Sequence, residues 1–524
     1  MDLFGYRTSK PEVAVFVSGV ASMGLEILAG RIVAPQFGSS IYTWGSIIGV
    51  FLAALSLGYH HGGKRAAFSA TNAKMSRLFL GTAAYVAVLI FAGDMLLAGA
   101  SGFPLPARFA SLPAITLLFG PPTYLLGFIS PYAAELSAKE GIGEASGHVY
   151  ALGTIGSIVG AFGTTYFLIP ALSVERIALI FGLLLVATAL GLRLPAISRR
   201  SGFAILAVAL LLVAATATPS FGYSVRGETV YQTQTPYQEL EVADLGDTRT
   251  LYLDGQRHSA MDLNDPDRNV FEYTRYFHLP HLATDDIDRV LFIGGGGFTG
   301  PKHFAEEYDV TVDVAEIDPE VIDTAERYFG VEESEKLNIY NEGGRQFLRD
   351  ANETYDLIVL DAYKKDKVPF ELTTVEFMEL ANDRLSEEGV LFANVISAPS
   401  GPASKFYRAE YKTMSRVFPQ VYSFPTAGGS VVQNVEMMAT KDETRLSESD
   451  FRERNRERDT AVNLSDAVAN YQSPPETDDV PVLRDDHAPV DSLLDPMVGQ
   501  RYVVEESESN ASETNAAESV RVVA

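Results

Sequence analysis

"VLFIGGGGFTGPKHF", residues 290–304, is the stretch that decides the fold of the C-terminal half of this chain. Four apolar residues of strand character run directly into four consecutive glycines. Glycine has no side chain and reaches backbone angles that other residues avoid. A glycine turn after a strand lets bare main chain approach a nucleotide, and this stretch predicts such a turn.

Strand and helix patterns alternate along the chain from this point. Short apolar runs of strand length are separated by stretches of helical periodicity. The predicted strands cover 289–293, 311–316, 337–340, 356–360 and 389–396, and the predicted helices cover 300–307, 319–329, 343–351 and 374–385. This order predicts a doubly wound parallel sheet, a Rossmann-like α/β domain over 286–440, with its ligand beyond the carboxyl ends of the strands.

Acidic residues stand where these strands end. Glu316 follows the second strand, 22 positions after Gly294, which is about where a carboxylate accepts hydrogen bonds from a ribose. Asp318 comes shortly after it, Glu342 follows the third strand and Asp361 ends the fourth. These acids could instead cap helix N-termini, which Asp and Glu also favour. Glycine or acid at four successive strand ends favours nucleotide binding.

The sequence lacks the motifs of several other kinds of binding site. The chain has no GxxxxGK[ST] phosphate loop, no second βαβ repeat for a pyrophosphate, no His-rich cluster and no cysteine. Without cysteine, disulfides, thiolate zinc sites and a Cys nucleophile are excluded. The sequence therefore disfavours phosphoryl transfer, dinucleotides and metal chemistry. It predicts one nucleoside-bearing ligand and no metal.

The first 220 residues have the apolar composition of a membrane domain. Seven apolar stretches approach the ~20 residues that a membrane span requires. They lie near 12–34, 41–60, 78–100, 109–134, 148–170, 176–193 and 202–218. The fifth stretch has closely spaced glycines at 153, 156, 160 and 163, a pattern that lets helices approach one another. We predict a multi-pass α-helical domain over 1–220, located in the cell membrane and in contact with the lipid bilayer.

Basic residues between the spans indicate an orientation. They concentrate on the side that holds the N-terminus, which should therefore be cytoplasmic. After seven spans the C-terminal half would lie outside, whereas the use of a nucleotide cofactor favours the cytoplasm. The basic residues and the cofactor thus favour opposite sides of the membrane.

Charge is divided unequally between the two halves. Residues 1–218 carry 13 basic and 8 acidic side chains, whereas the remainder carries 28 basic and 59 acidic ones, a net charge of −31. So acidic a soluble part disfavours binding to nucleic acid or anionic lipid. The excess of carboxylates predicts a surface suited to very salty, halophilic conditions.

Two further segments flank the α/β region. Residues 228–262 alternate strand-like runs with turns, which predicts antiparallel hairpins, and a helical stretch follows at about 267–282. Together they form a β-hairpin segment with a connecting helix over 228–285. From 441 to 524 the chain is polar and acidic, with a solvated helix or linker first and a tail from 503 that is predicted to be disordered.

At these residues the chain resembles the spermidine synthase (polyamine aminopropyltransferase) family, in the form fused to an N-terminal multi-span membrane domain. The similar segments are "TPYQELEV" (235–242), "LYLDGQRHSAMD" (251–262), "VLFIGGGG" (290–297), "VAEIDPEVIDTAERYF" (314–329), "GRQFL" (344–348) and "YDLIVLDAY" (355–363). Two more segments are similar only to the form of the family that is fused to a membrane domain: "LEILAGRIVAPQFGSSIYTWGSIIGVFLAALSLGY" (25–59) and "VPVLRDDHAPVDSLL" (480–494). The resemblance implies a Rossmann-like domain of the S-adenosylmethionine-dependent methyltransferase type.

The resemblance also implies a reaction and its residues. An aminopropyl group would pass from decarboxylated S-adenosylmethionine, a co-substrate, to an amine, with Asp361 as proton acceptor. The remaining residues would bind the donor. Gln238 would contact its sulfonium side chain, the close turn would be formed by Gly294, Gly295 and Gly296, and Glu316 would bind the ribose with Asp318 behind it. The family has an adenine-binding Asp at the position of Gly343, and Glu342 would take its place here.

Three departures concern the amine acceptor. The family has an Asp where this chain has Gly297, and a further acid where this chain has Lys364, whose charge would repel a dicationic substrate if it pointed inward. The family's Tyr-His-Glu motif is replaced by residues 273–275, Tyr-Thr-Arg. Alternatives therefore stay open. Asp361 could orient the adenosine or cap a helix; the chain could use S-adenosylmethionine to methylate another acceptor; or it could be a transporter or sensor with a ligand-binding nucleotide fold. The sequence also leaves homo-oligomerisation open.

Overall fold

The computed structural model describes residues 2–3, 6–7, 9–37, 40–101, 105, 107–137, 142–217, 227–365, 367–498 and 500–507. The predicted disordered tail falls outside these residues from 508 onward. The chain divides into two compact units, Met1–Val225 with Thr233–Pro236, and Arg226–Gln232 with Tyr237–Ala524.

The first unit is helical after a short hairpin of β1 (Asp2–Leu3) and β2 (Tyr6–Arg7). Its helices are α1 (Lys10–Phe37), α2 (Ile41–Ser69), α3 (Asn72–Ser101), α4 (Ser111–Gly127), α5 (Ile129–Ser137), α6 (Ile142–Gly163), α7 (Ile169–Ala171), α8 (Val174–Arg193) and α9 (Arg199–Ala217). Among the described residues, seven helical stretches are long and apolar enough to cross a membrane, as predicted. This is the pattern of a multi-pass membrane protein.

Glycines set the close approach of α1 and α6. A Cβ atom at Gly156 would lie 2.2 Å from the carbonyl oxygen of Phe16, and one at Gly160 would lie 2.4 Å from that of Val20. No side chain fits at such distances, so these two glycines let the helix backbones touch. The glycine spacing in the fifth apolar stretch thus serves packing.

The second unit begins with a four-stranded antiparallel sheet. Its strands, in spatial as in chain order, are β3 (Glu228–Gln234), β4 (Glu239–Leu245), β5 (Thr248–Leu253) and β6 (Gln256–Asp262). Leu240, Val242 and Leu251 are fully buried on one face, as the alternation of the sequence predicts. The hairpin prediction for 228–262 is confirmed.

The continuous helix predicted at about 267–282 is wrong. The chain forms one short helix, α10 (Tyr273–Tyr276), and a separate 3-10 turn, Leu279–Leu282. Pro280 lies in that turn. Proline has no N–H to bond to the carbonyl four residues back, so the α-helix does not continue through 280.

A seven-stranded sheet forms the core of the second unit, in the spatial order β12-β13-β11-β10-β7-β8-β9. Its strands are β7 (Arg289–Ile293), β8 (Thr311–Ala315), β9 (Leu337–Tyr340), β10 (Tyr355–Leu360), β11 (Leu385–Ser397), β12 (Gln420–Pro425) and β13 (Gln433–Thr440). The helices of this region are α11 (Thr299–Glu307), α12 (Pro319–Tyr328), α13 (Gly344–Asp350), α14 (Val375–Arg384) and α15 (Lys405–Met414). The Rossmann-like fold is confirmed.

The prediction of an entirely parallel sheet is corrected by β13. This strand is antiparallel to both of its neighbours, β11 and β12, whereas β11, β10, β7, β8 and β9 are mutually parallel. Only a short loop joins β12 to β13, and such a connection makes a hairpin, because a parallel pair needs a long crossover.

The polar region after 441 folds onto this domain. Its helices are α16 (Glu448–Glu457), α17 (Ser465–Ala469) and α18 (Val490–Leu494). Phe451 and Leu464 belong to the buried cluster on one face of the sheet, and Leu483 and Leu494 belong to the cluster on the other face. A segment of polar composition therefore contributes to both cores.

Candidate active site at the carboxyl edge of the sheet

The glycine turn and Asp361 meet at neighbouring strand ends. Ile293 of β7 lies opposite Leu360 of β10 in the parallel ladder, so the next residues, Gly294 and Asp361, leave the sheet side by side. Gly294 has a φ of 96°, and a Cβ atom there would lie 2.4 Å from the carbonyl oxygen of Asp361. Only glycine permits this conformation and this approach.

Glu316 ties the glycine turn to the end of β8. Its buried carboxylate accepts hydrogen bonds from the backbone N–H groups of Gly295 and Asp318, both at 2.9 Å. Burial raises the pKa of Glu316, and these N–H groups work against the rise. Asp318 is the N-cap of α12 and accepts the N–H of Glu320 at 3.2 Å, so it does serve the capping role that the sequence left open.

Lys364 is held by polar partners that lie just outside the strands of the smaller sheet. Its ammonium group forms an ion pair with Asp254 at 2.9 Å and donates to the side-chain oxygen of Gln238. The amide nitrogen of Gln238 in turn donates to Asp318 at 3.1 Å. Burial alone would raise the pKa of Asp254, but Lys364 and the N–H of Glu239 outweigh it, so that this pKa is lowered. The cation at 364 is thus matched by a carboxylate.

Contact with Ser259 explains the absence of a side chain at Gly297, the fourth glycine of the turn. Its hydroxyl oxygen accepts the N–H of Gly297 at 2.8 Å. A Cβ atom at Gly297 would lie 2.6 Å from the Cβ atom of Ser259, which is closer than side-chain carbons pack. The space that a side chain at 297 would need is therefore filled by β6.

Glu342 and Gly343 lie farther along the same edge, at the end of β9. Gly343 is the N-cap of α13, and Glu342 is half-buried. The sheet order places these candidate residues in one row: Glu342 and Gly343 after β9, Glu316 after β8, Gly294 after β7 and Asp361 after β10. The edge therefore brings together the strand-end residues that the sequence singled out.

Asp361 ends a chain of side-chain hydrogen bonds. Asn394 of β11 donates to its carboxylate at 2.8 Å and accepts from Asn434 of β13 at 2.7 Å. Asn434 also accepts the hydroxyl hydrogen of Tyr502 at 2.8 Å. Burial raises the pKa of Asp361 to about 6, against the opposing effect of the Asn394 bond. Such a carboxyl can exchange a proton near neutral pH.

Tyr273 is the residue of the altered 273–275 segment that approaches Asp361. Its hydroxyl donates to the carbonyl oxygen of His258 at 2.9 Å. Burial raises the pKa of Tyr273 well above its ordinary value, and the charge of Asp361 adds to this. Arg275 instead pairs with Glu272 at 3.1 Å.

Three residues of this network were not found from the sequence: Asn394, Asn434 and Tyr502. Asn394 interrupts the apolar run "VLFANVIS" at 390–397, and a lone polar residue in a buried strand is a signal that could have identified it. Asn434 and Tyr502 gave no comparable signal, because their positions depend on the pairing of β13 and on the path of the C-terminal segment. Among the described residues, no group of three or more His, Asp or Glu is placed to hold a metal ion.

Comparison with known proteins identifies relatives of this second unit. A sequence profile described as the Spermine/spermidine synthase domain matches residues 271–441. A polyamine aminopropyltransferase of Vibrio vulnificus is 32% identical over 225 residues, which cover 41% of this chain and 74% of that protein. Another, of Chromobacterium violaceum, is 29% identical over 214 residues, covering 40% and 79%. The crystal structure of a probable spermidine synthase of Corynebacterium glutamicum aligns at 21% identity with a TM-score of 0.41, covering 49% of this chain and 96% of that one.

Proposed function

This chain belongs to the spermidine synthase (polyamine aminopropyltransferase) family, and we propose that it is a transferase that moves an aminopropyl group from decarboxylated S-adenosylmethionine to an amine. Decarboxylated S-adenosylmethionine is the co-substrate of the family, and an amine is its acceptor. We propose further that residues 1–220 anchor the enzyme in the membrane, ahead of the hairpin segment over 228–285, the nucleoside-binding domain over 286–440 and the acidic region over 441–524.

The proposed reaction is a displacement at carbon. The lone pair of a neutral amine attacks the aminopropyl carbon that is bonded to the sulfonium sulfur. The new N–C bond forms as the C–S bond breaks, and the electron pair of that bond stays on sulfur, which leaves 5′-methylthioadenosine. The attacking nitrogen then loses one proton, which Asp361 accepts.

The environment of Asp361 is the observation that carries the proposal. Its backbone carbonyl lies against Gly294 of the glycine turn, and burial raises the pKa of its carboxyl to about 6. A base is most effective when its pKa lies near the working pH, since it is then ionised and still able to hold a proton. An exposed Asp, with an ordinary pKa of about 3.9, would be a weaker acceptor.

The neighbouring strand ends would bind the nucleoside. The two oxygens of Glu316 accept backbone N–H groups from Gly295 and Asp318, and the N–H of Gly296 also acts on this carboxylate. A carboxylate has about four acceptor positions, so Glu316 keeps capacity for a ribose hydroxyl. Glycine turns let the donor lie against bare backbone. We assign the adenine side to Glu342 and Gly343, and the side chain of the donor to Gln238.

The test is a transfer assay on the full-length protein in detergent. Decarboxylated S-adenosylmethionine is supplied with a panel of mono-, di- and triamines, and products are identified by mass spectrometry. We expect an aminopropylated amine, and a 10²–10⁴-fold lower rate for Asp361→Asn, the usual contribution of a catalytic base. Asp309→Asn is the matched control, because Asp309 is fully exposed.

Two results would contradict the proposal. One is an Asp361→Asn rate equal to that of the control, which would leave the carboxyl in an orienting role. The other is methylated rather than aminopropylated product when S-adenosylmethionine is supplied beside the decarboxylated donor. A C-terminal reporter fusion separately determines on which side of the membrane the proposed enzyme lies.

A further inference from the structure

Glu436 is a fully buried acid on β13, close to the proposed active site. It lies directly opposite Asn394 of β11 in the antiparallel ladder, and paired residues point to the same face of a sheet. Its relative exposure is 0%. Both of its carboxylate oxygens lack a hydrogen-bond partner among the described residues.

The surroundings of Glu436 are acidic and phenolic. Burial raises its pKa well above the ordinary value, and the charge of Asp361 raises it further. Burial raises the pKa values of Tyr273, Tyr276 and Tyr502, and the charge of Glu436 raises them further. An acid without a partner is costly inside a protein, unless it is neutral or meets a cation.

The order of the strands puts Glu436 on the acceptor side of Asp361. The glycine turn after β7 and Glu316 after β8 lie on one side of β10, whereas β11 and β13 lie on the other. If the nucleoside binds at β7 to β9, the transferred carbon must reach Asp361 from that side. The amine must then approach from the side of Glu436.

We propose that Glu436 binds a cationic ammonium group of the acceptor, and so supplies the acidic contact that Gly297 and Lys364 do not. This inference rests on the proposed function and concerns the residue that holds the second amine of a diamine acceptor. One nitrogen lies neutral beside Asp361 and attacks, while the other stays protonated at Glu436. Adjacent strands are ~4.8 Å apart, so the two acids, two strands apart, suit nitrogens separated by a short alkyl chain.

The inference is tested by amine binding to the full-length protein in detergent. Calorimetric titrations use 1,4-diaminobutane and butylamine as probes, with 5′-methylthioadenosine present. We expect the wild type to prefer the diamine. Glu436→Gln should weaken diamine binding by roughly 30-fold or more, as for loss of one partner of a buried charge pair, and should leave the affinity for decarboxylated S-adenosylmethionine unchanged.

Glu410→Gln is the matched control. Glu410 is also fully buried, but it lies in α15 and accepts a hydrogen bond from Tyr363 at 3.2 Å. Its substitution should leave diamine binding as in the wild type. Glu436→Asp, which keeps the charge on a shorter side chain, should retain more diamine affinity than Glu436→Gln, and serves if the latter misfolds.

The outcomes that overturn the inference differ from those that overturn the proposed function. Diamine binding that is unchanged by Glu436→Gln and Glu436→Asp overturns the inference, and so does a wild type that binds neither amine. A loss of donor affinity in Glu436→Gln would assign the carboxyl to the ammonium group of the donor, which also overturns it. The proposed function fails separately, if the wild type forms no aminopropylated product from any amine.

Discussion

At the scale of single residues, the proton equilibrium of Asp361 should control the pH dependence of transfer. The proposed base acts as a carboxylate, and burial raises its pKa to about 6. Below that pH it is protonated, which by itself should lower kcat/KM about tenfold per pH unit. Asn394 donates a hydrogen bond to the ionised form and thereby lowers this pKa. Asn394→Ala should therefore move the acidic limb of the profile to higher pH.

The measurement is kcat/KM of the wild type and Asn394→Ala between pH 4.5 and 8. The amine also titrates, so the displacement of the limb, rather than its existence, identifies Asp361. Asn338→Ala is the control, because Asn338 donates to Asp313 at 2.9 Å, away from the carboxyl edge. A limb at the same pH in all three proteins would contradict the role of the Asn394 bond.

The contact between Gly297 and Ser259 gives a second prediction at this scale. A Cβ atom at Gly297 would lie 2.6 Å from that of Ser259. Gly297→Ala should therefore lower the free energy of unfolding by ~1–3 kcal/mol, the usual cost of overpacking. Ser259→Gly removes the obstructing atom but also loses the hydroxyl that accepts the N–H of Gly297. The double variant should be more stable than the sum of the two single effects.

Denaturation of the four proteins in this double-mutant cycle measures the coupling. A purely additive result would mean that the turn relaxes without contact with Ser259. Positive coupling would show that the chain excludes an Asp at 297 by packing. The departure from the family at this position would then be a consequence of the neighbouring sheet.

The residues of the site differ in how far the sequence could predict them. The 22-residue spacing between Gly294 and Glu316 reflects one strand–helix–strand unit, so local pattern was sufficient. Ser259 and Gly297 are 38 residues apart, and Lys364 and Asp254 are 110 apart. Such contacts depend on how separate sheets pack, which no local periodicity encodes. The sequence therefore identified the cation at 364 but not the carboxylate that neutralises it.

At the scale of elements, α1 and α6 should be sensitive to the size of side chains on one face of α6. A Cβ atom at Gly160 would lie 2.4 Å from the carbonyl oxygen of Val20, whereas one at Gly163 meets nothing within 4 Å. Gly160→Leu should separate the helices and lower thermal stability in detergent. Gly163→Leu, three residues on in the same helix, should have little effect.

The measurement is the apparent unfolding temperature of the two variants and the wild type under identical detergent conditions. Equal destabilisation by both substitutions would indicate a general effect of leucine in α6. Gly160→Ala provides a graded test, because it adds one carbon where the backbones touch, and it should fall between the wild type and Gly160→Leu.

Elements were predictable where composition alone determines them. Apolar runs bounded by turns gave β7 to β10, and hydropathy gave the seven long helices. Pro280 interrupts the helical stretch predicted at about 267–282. The hairpin of β12 and β13 was missed, although "QVYSFP" and "QNVEMMAT" flank a loop with two glycines, which is a recognisable hairpin signal. Because this hairpin was not predicted, the positions of Glu436 and Asn434 on β13 were not predicted either.

At the scale of the whole molecule, the unequal charge predicts a response to salt. Residues 219–524 carry a net charge of −31, whereas residues 1–218 carry five more basic than acidic side chains. Mutual repulsion among surface carboxylates opposes folding. The Debye length falls from ~10 Å at 0.1 M salt to ~3 Å at 1 M, so salt should screen this repulsion and stabilise the second unit.

The second unit should therefore resist heating better in 2 M than in 0.1 M potassium chloride, by at least several degrees. The measurement is mass spectrometry of protease-resistant peptides from 227–507, after heating of the full-length protein. High salt also strengthens apolar burial, so a charge control is needed. Replacing exposed acids such as Asp309 and Glu353 by lysine lowers the net negative charge and should reduce the gain from salt. A gain of the same size in that variant would assign the effect to apolar burial, and a loss of stability in high salt would contradict the prediction outright.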